Sequence, residues 1–245
     1  MSARRVGSGA ALAGLLLSLV ALPGQADAPV RGVVRARQVA VLSSRLSAQI
    51  TQMPFREGQS FRKGELLVAF DCERQRAQSK AAAAALRAHQ KTFEVQRELL
   101  QSSAIGKMEV DVTQAQMEKA AAEVQALEVE LRECQVFAPY AGRVVEAVAQ
   151  AHETAGQGQP LLRIQGADDL ELQLIVPSAW MSWLRSGTQF TFRIDETGES
   201  VTAAVLRVGA SVDPVSQTVK IVAKLPTGRA SVLPGMSGTA EFKRS

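Results

Sequence analysis

Two cysteines, Cys72 and Cys134, carry the clearest covalent chemistry in this 245-residue chain. In an exported protein an even cysteine count points to one disulfide, and the other reading is a pair of reduced, buried thiols. The two histidines, His89 and His152, stand 63 residues apart (152 − 89), and neither belongs to a metal-ligand spacing. Gly156-Gln157-Gly158 forms a G-x-G, but no phosphate loop or dinucleotide fingerprint follows it. One tyrosine and scattered carboxylates offer no acid–base pair. These residues point to a non-catalytic protein without cofactor or metal, whose function lies in its surfaces.

The elements that position the cysteines are two helices. Residues 73–101 contain no Pro and no Gly and are rich in Ala, Gln, Arg, Glu and Leu; residues 107–134 have the same character. Ser102-Ser103-Ala104-Ile105-Gly106 between them reads as a tight turn with Gly at the bend. Two long helices on so short a loop must run antiparallel. On the second helix, Val110, Thr113, Met117, Ala120, Val124, Leu127, Leu131 and Cys134 alternate at steps of three and four, as a coiled-coil seam does. The matching seam on the first is Cys72, Gln75, Ser79, Ala82, Leu86, His89, Phe93, Gln96 and Leu100. His89 reads there as an interior or edge residue rather than a ligand. About the turn near residue 103, each cysteine lies 31 residues away (103 − 72, 134 − 103), at the root of the hairpin. A disulfide between them is sterically plausible, and it would clamp that root.

The segments flanking the hairpin resemble each other. Residues 48–70 fall on 142–164 without a gap, a displacement of 94 (142 − 48). Gly64 to Phe70 matches Gly158 to Ile164, and Gly58 falls opposite His152. Each half reads as strand, polar turn, then glycine before another apolar strand, with Gly58, Gly64, Gly142 and Gly158 as its turn residues. Neither half can bury a core alone, so the two should pair into one small β-sandwich from whose middle the hairpin grows.

The N-terminus reads as a cleaved signal peptide over 1–26: Arg4 and Arg5, then an apolar run Ala10–Leu22, then Gly24-Gln25-Ala26. The run is shorter than the roughly 18 residues a membrane span needs, and no cysteine near the junction suggests lipidation. Removing two arginines leaves 26 basic (28 − 2) against 24 acidic residues, which with no basic cluster argues against nucleic-acid binding. Aromatics are 4% of the chain, so an aliphatic core is expected.

Val136-Phe137-Ala138-Pro139-Tyr140-Ala141-Gly142-Arg143-Val144 resembles the Val-x-Ala-Pro-x-x-Gly-x-Val re-entry signature of the periplasmic adaptor (membrane fusion protein, HlyD-like) family. Glu57-Gly58, Lys63-Gly64 and Leu66-Leu67 are similar to its first-half pattern, and Asp213 to Thr218 and Leu233-Pro234-Gly235-Met236 to its late barrel signatures. The resemblance implies a multi-module mixed α and β fold: a split lipoyl-like β-sandwich, an antiparallel coiled-coil hairpin and a β-barrel. The expected boundaries are 27–46 for an N-terminal strand joining the barrel, 47–71 and 136–166 for the lipoyl-like halves, 72–135 for the hairpin and 167–245 for the barrel. The chain stops after the barrel signature, so a membrane-proximal domain is expected to be absent.

The resemblance implies a periplasmic adaptor at the inner membrane, serving efflux or secretion. Its barrel would meet an inner-membrane transporter of RND or ABC type, copies would self-associate into a ring, and the hairpin tip would reach a TolC-like outer-membrane channel. The residues expected at that tip contact are Val95, Leu99, Ile105, Gly106 and Lys107. Members that dock on such channels carry Arg, Leu and Ser at set spacing; here those positions hold Val95, Leu99 and Gly106, so only the Leu matches. Two other readings compete: a periplasmic scaffold without a transporter, and, more remotely, a lipoyl or biotinyl carrier domain. Against the carrier, the hairpin replaces the loop that would display the modified lysine, and Lys63 lies in a different turn.

Overall fold

In the computed structural model, residues 29–167, 169–226 and 231–243 are described. The expected signal peptide lies outside them. The chain opens with β1 (Val30–Ala36), β2 (Val39–Ser43), β3 (Ala48–Gln52), β4 (Ser60–Phe61) and β5 (Leu66–Phe70). Helices α1 (Glu73–Gln101) and α2 (Lys107–Arg132) follow, then β6 (Gln135–Phe137), β7 (Gly142–Ala147), β8 (Thr154–Ala155) and β9 (Pro160–Gly166). The last third holds β10 (Leu170–Pro177), a 3₁₀ turn (Ser178–Ser182), β11 (Gln189–Ile194), β12 (Ser200–Asp213), β13 (Thr218–Lys224) and β14 (Ser237–Phe242).

The strands next to the hairpin form two sheets, β2-β9-β7-β4 and β6-β5-β3-β8. The displacement of 94 read from the sequence carries β3 onto β7, β4 onto β8 and β5 onto β9. It carries the hydrogen bonds as well. The Gly58 amide donates to the Val144 carbonyl at 2.9 Å and the His152 amide to Ile50 at 2.8 Å; Gly64 donates to Ala138 at 2.9 Å and Gly158 to Ser44 at 2.7 Å. In each sheet the two inner strands come from one half and the two outer strands from the other. The core repeats on the same displacement, with Ile50, Leu67, Val68 and Phe70 matched by Val144, Leu161, Leu162 and Ile164. Half of the repeat therefore lacks both a complete sheet and a complete core, which is why the two halves must fold together.

Local geometry explains several signature residues. Gly58, Gly64 and Gly158 turn the chain at φ of 79°, 82° and 82°, in the left-handed region that costs glycine least. Gly142, expected with them as a turn residue, is instead the first residue of β7, where an added Cβ would fall on the Gln165 carbonyl oxygen. Close strand approach, not turning, requires that glycine. Ala138 is buried and exchanges backbone hydrogen bonds of 2.9 Å with Glu65 and Gly64 across the sheet.

A second core lies inside a closed barrel, β1-β10-β13-β12-β11-β14, built on Val34, Leu172, Leu174, Phe192, Ile194 and Ile221. Both cores are mainly aliphatic, with Phe61 and Phe70 buried in the sandwich and Trp180, Phe190 and Phe192 in the barrel. Trp180, Trp183, Phe190 and Phe242 cluster at one barrel end, with ring centroids 4.4–6.2 Å apart. Gly235, at φ 98°, donates to the Val34 carbonyl at 2.8 Å and so stitches the Leu233–Met236 turn onto β1.

One boundary needs correction. Of the segment 27–46, the described residues 29–46 do not form one strand joining the barrel: β1 does so, but β2 leaves it and pairs with β9 of the sandwich. The chain breaks at Arg37-Gln38, where the Arg37 guanidinium meets Asp169 at 3.2 Å and the two inter-module segments are bonded amide to carbonyl. Further on, β12 runs to Asp213, and register shifts after Val205 and Val208 let it follow β13 over that length.

Candidate partner-binding surface at the hairpin tip

The cysteines fix the hairpin's root. Cys72 and Cys134 are buried and disulfide-bonded, with Cα atoms 6.1 Å apart and a sequence separation of 62. The Phe70 amide donates to the Cys134 carbonyl at 2.9 Å, and the Asp71 amide to Gln49 at 2.8 Å. The hairpin thus starts from the sandwich core rather than from a loose linker.

Above the root, burial follows the seam. On α2 the residues withdrawn from solvent are Val110, Thr113, Met117, Ala120, Val124, Leu127 and Leu131, the positions given by the three-and-four spacing. On α1 they are Gln75, Ser79, Ala82, Leu86, His89, Phe93, Gln96 and Leu100, together with Ala83. His89 therefore faces the partner helix. Outside the seam the helices are charged; Lys91 donates to Glu94 at 2.6 Å, which holds that carboxyl below, and the ammonium above, its ordinary range.

The apex closes with a left-handed residue, but not the expected one. Ser103 takes φ 56°, while Gly106 is extended and caps α2 at φ −85°. The Ala104 amide donates to Leu99 and the Ser103 amide to Leu100, both at 2.9 Å, which is a Schellman arrangement with serine where glycine is usual. Of the residues expected at the tip contact, Val95 and Leu99 are exposed on α1, Ile105 is half-buried in the loop, and Gly106 and Lys107 are exposed.

Helical spacing places two more apolar residues beside Val95 and Leu99. Residues whose numbers sum to about that of the disulfide (72 + 134) lie level on the hairpin, so Val95 is level with Val112 and Leu99 with Met108. An antiparallel pair has an approximate two-fold through its seam, which puts the residues just before Leu100 and Val110 on one flank. Val95 and Leu99 lie on that flank of α1 and Val112, just before Thr113, on that of α2; Met108, two residues from Val110, points outward from α2 at the level of Leu99. Met108 is 78% exposed, Val95 and Val112 52%, and Leu99 37%. Neither Met108 nor Val112 is in the contact set drawn from the sequence. Their signal there is an apolar i, i+4 pair lying off the seam of a charged helix.

No candidate catalytic chemistry gathers at this surface. Among the described residues no group of three or more His, Cys, Asp or Glu is placed to hold a metal ion, and no helix is long and apolar enough to cross a membrane.

No family model matches the chain. Several curated relatives share a name. This chain is 25% identical over 222 residues to the solvent efflux pump periplasmic linker SrpA of Pseudomonas putida, covering 84% of this chain and 58% of that one. The chain is thus similar to proteins named efflux pump periplasmic linkers. It spans 54–62% of the length of the curated relatives it matches. Its fold is that of the membrane fusion protein Spr0693 from Streptococcus pneumoniae R6, with TM-score 0.73 and 14% identity over 89% of this chain and 99% of that one. A MacA–MexA chimera containing the Pseudomonas aeruginosa MexA α-hairpin domain gives TM-score 0.77 at 17% identity, over 87% and 79% of the two chains. As in these neighbours, β-rich modules and a barrel accompany the helices.

Proposed function

We propose that this chain is a membrane fusion protein, the periplasmic adaptor subunit of an efflux complex, acting through surfaces and without chemistry on the cargo. The observation that carries the reading is the hairpin: a disulfide-clamped root and, at the far end, an exposed apolar surface of Val95, Leu99, Met108 and Val112. Apolar side chains held out on a rigid arm are what a docking surface needs and what a solvated helix avoids. Helices of 29 and 26 residues put this surface roughly 40 Å from the root at 1.5 Å per residue.

In this reading the two interlocked sheets are the lipoyl-like module, with halves near 47–71 and 136–166, and the hairpin is a coiled coil near 72–135. The barrel contacts an inner-membrane transporter, the tip reaches an outer-membrane channel, and several copies stand side by side in a ring. The signal peptide is removed on export, leaving the protein in the periplasm against the inner membrane. The names of the relatives, efflux pump periplasmic linkers, support the efflux setting.

The test is export itself. Leu99→Asp and Met108→Asp place a charge on the exposed surface without touching the seam. Each should lower efflux-dependent resistance at least tenfold while leaving the melting temperature within about 2 °C, since surface changes stay within about 0.5 kcal/mol. Full resistance in both variants would remove the tip from the mechanism.

A further inference from the structure

A second apolar surface lies at the hairpin's root, on the opposite end from the tip. β2 is the outermost strand of its sheet, with β9 as its one neighbour. The Gly166 amide donates to Gln38 at 2.8 Å and the Ser44 amide to Gln159 at 2.8 Å, so the even-numbered residues bond toward β9. The amides and carbonyls of Val39, Val41 and Ser43 therefore point away from the sheet. Proteins usually blunt such an edge with lysine, proline or a covering loop. Val39-Ala40-Val41-Leu42-Ser43 contains no charge and no proline, and Val39 and Val41 are 61% and 52% exposed.

This edge opens on a cleft of about 600 Å³, closed on its other sides by Val129 and Arg132 of α2 and by Val136, Phe137 and Pro139 of the β6 segment. Phe137 is itself half exposed, on a strand that is the outer member of its own sheet. The charges around the cleft are mostly positive. Arg45 reaches Glu133 at 3.6 Å, while Arg132 makes no ion pair among the described residues.

We propose that this cleft takes an extended segment of a partner protein, which adds a strand to β2. The main-chain groups of Val39, Val41 and Ser43 supply the hydrogen bonds, and the cleft floor takes alternate apolar side chains. Charge sets the kind of segment: apolar in its centre, with carboxylates at its ends to meet Arg132 and Arg45. The same charges disfavour a second copy. Antiparallel pairing of β2 with itself about Val41 would set Arg37 opposite Arg45 of the copy (37 + 45 is twice 41), a like-charge contact across a strand pair. The site is separate from the tip, so its failure would leave the tip reading standing.

The test is hydrogen exchange on the full exported chain with two synthetic peptides, Glu-Val-Thr-Val-Thr-Val-Glu and the same sequence with lysine at both ends. The acidic peptide should slow exchange at the Val39, Val41 and Ser43 amides and bind at least tenfold more tightly than the basic one. Val41→Pro removes one outward-facing donor that β9 does not use, so the variant should fold and lose at least tenfold in affinity. Absence of protection at these amides with either peptide overturns the proposal, as does unchanged binding by folded Val41→Pro. Protection of β2 that rises with protein concentration alone would assign the cleft to a second copy instead.

Discussion

At the scale of single residues, the internal repeat offers a controlled comparison. Gly58 and His152 occupy equivalent turns at φ 79° and 74°, and each amide donates across to the other half. One position holds the residue suited to that conformation, and the other holds a side chain that is strained there by about 1 kcal/mol. His152→Gly should therefore raise the free energy of unfolding by about 0.5–1 kcal/mol in urea titration, and Gly58→Ala should lower it by about 1 kcal/mol or more. Asp213 supplies a second residue-level expectation. Amide donation from Ser216 and Val215, each at 2.9 Å, holds its carboxyl below the ordinary 3.8. Because the folded value is the lower one, the contribution to the turn is complete above 3.8 and is lost as pH falls through the depressed value. In an NMR titration the Val215 and Ser216 amide shifts should move below pH 3.8, and Asp213→Asn should abolish the transition.

At the scale of elements, the helices were the most legible part of the chain and the turn joining them the least. Helix formers without Pro or Gly define α1 and α2, and the seam follows from spacing because one buried stripe decides the register. The apex did not follow, since a Schellman turn accepts Ser103 at a modest strain and leaves Gly106 free to cap the next helix. The surface at the tip was half legible: Leu99 stood out, whereas Met108 and Val112 become a site only once the two helices are brought level. The disulfide joins these elements to the sandwich. Bridging a sequence separation of 62 should stabilise by about 4 kcal/mol if chain entropy dominates. Replacing Cys72 and Cys134 together by Ser should lower stability by about 2–4 kcal/mol, read by urea denaturation. It should also speed amide exchange first at Phe70 and Asp71, whose amides anchor the root. Unchanged exchange there would assign the clamp to packing alone.

At the scale of the whole molecule, the repeat in the sequence showed that two halves exist but not how they interlock. Pairing β4 with β7 and β8 with β3 depends on contacts between strands some eighty residues or more apart, and no local signal encodes it (142 − 61, 154 − 49). The path of β2 was hidden for the same reason, since its alternating pattern suits the barrel and the sandwich equally well. Once folded, the modules stand in series: a barrel, an interlocked sandwich and an arm whose root is bonded into the sandwich core. In the proposed function that order serves as a spacer with a surface at each end, and the account stands on the far end of the arm touching a partner. Site-specific photo-cross-linking from position 108 in cells, with the probe replacing Met108, tests this most directly. The account predicts a discrete cross-link to an outer-membrane channel protein that disappears in Leu99→Asp. No cross-link beyond copies of this chain, or one that persists in Leu99→Asp, would contradict it.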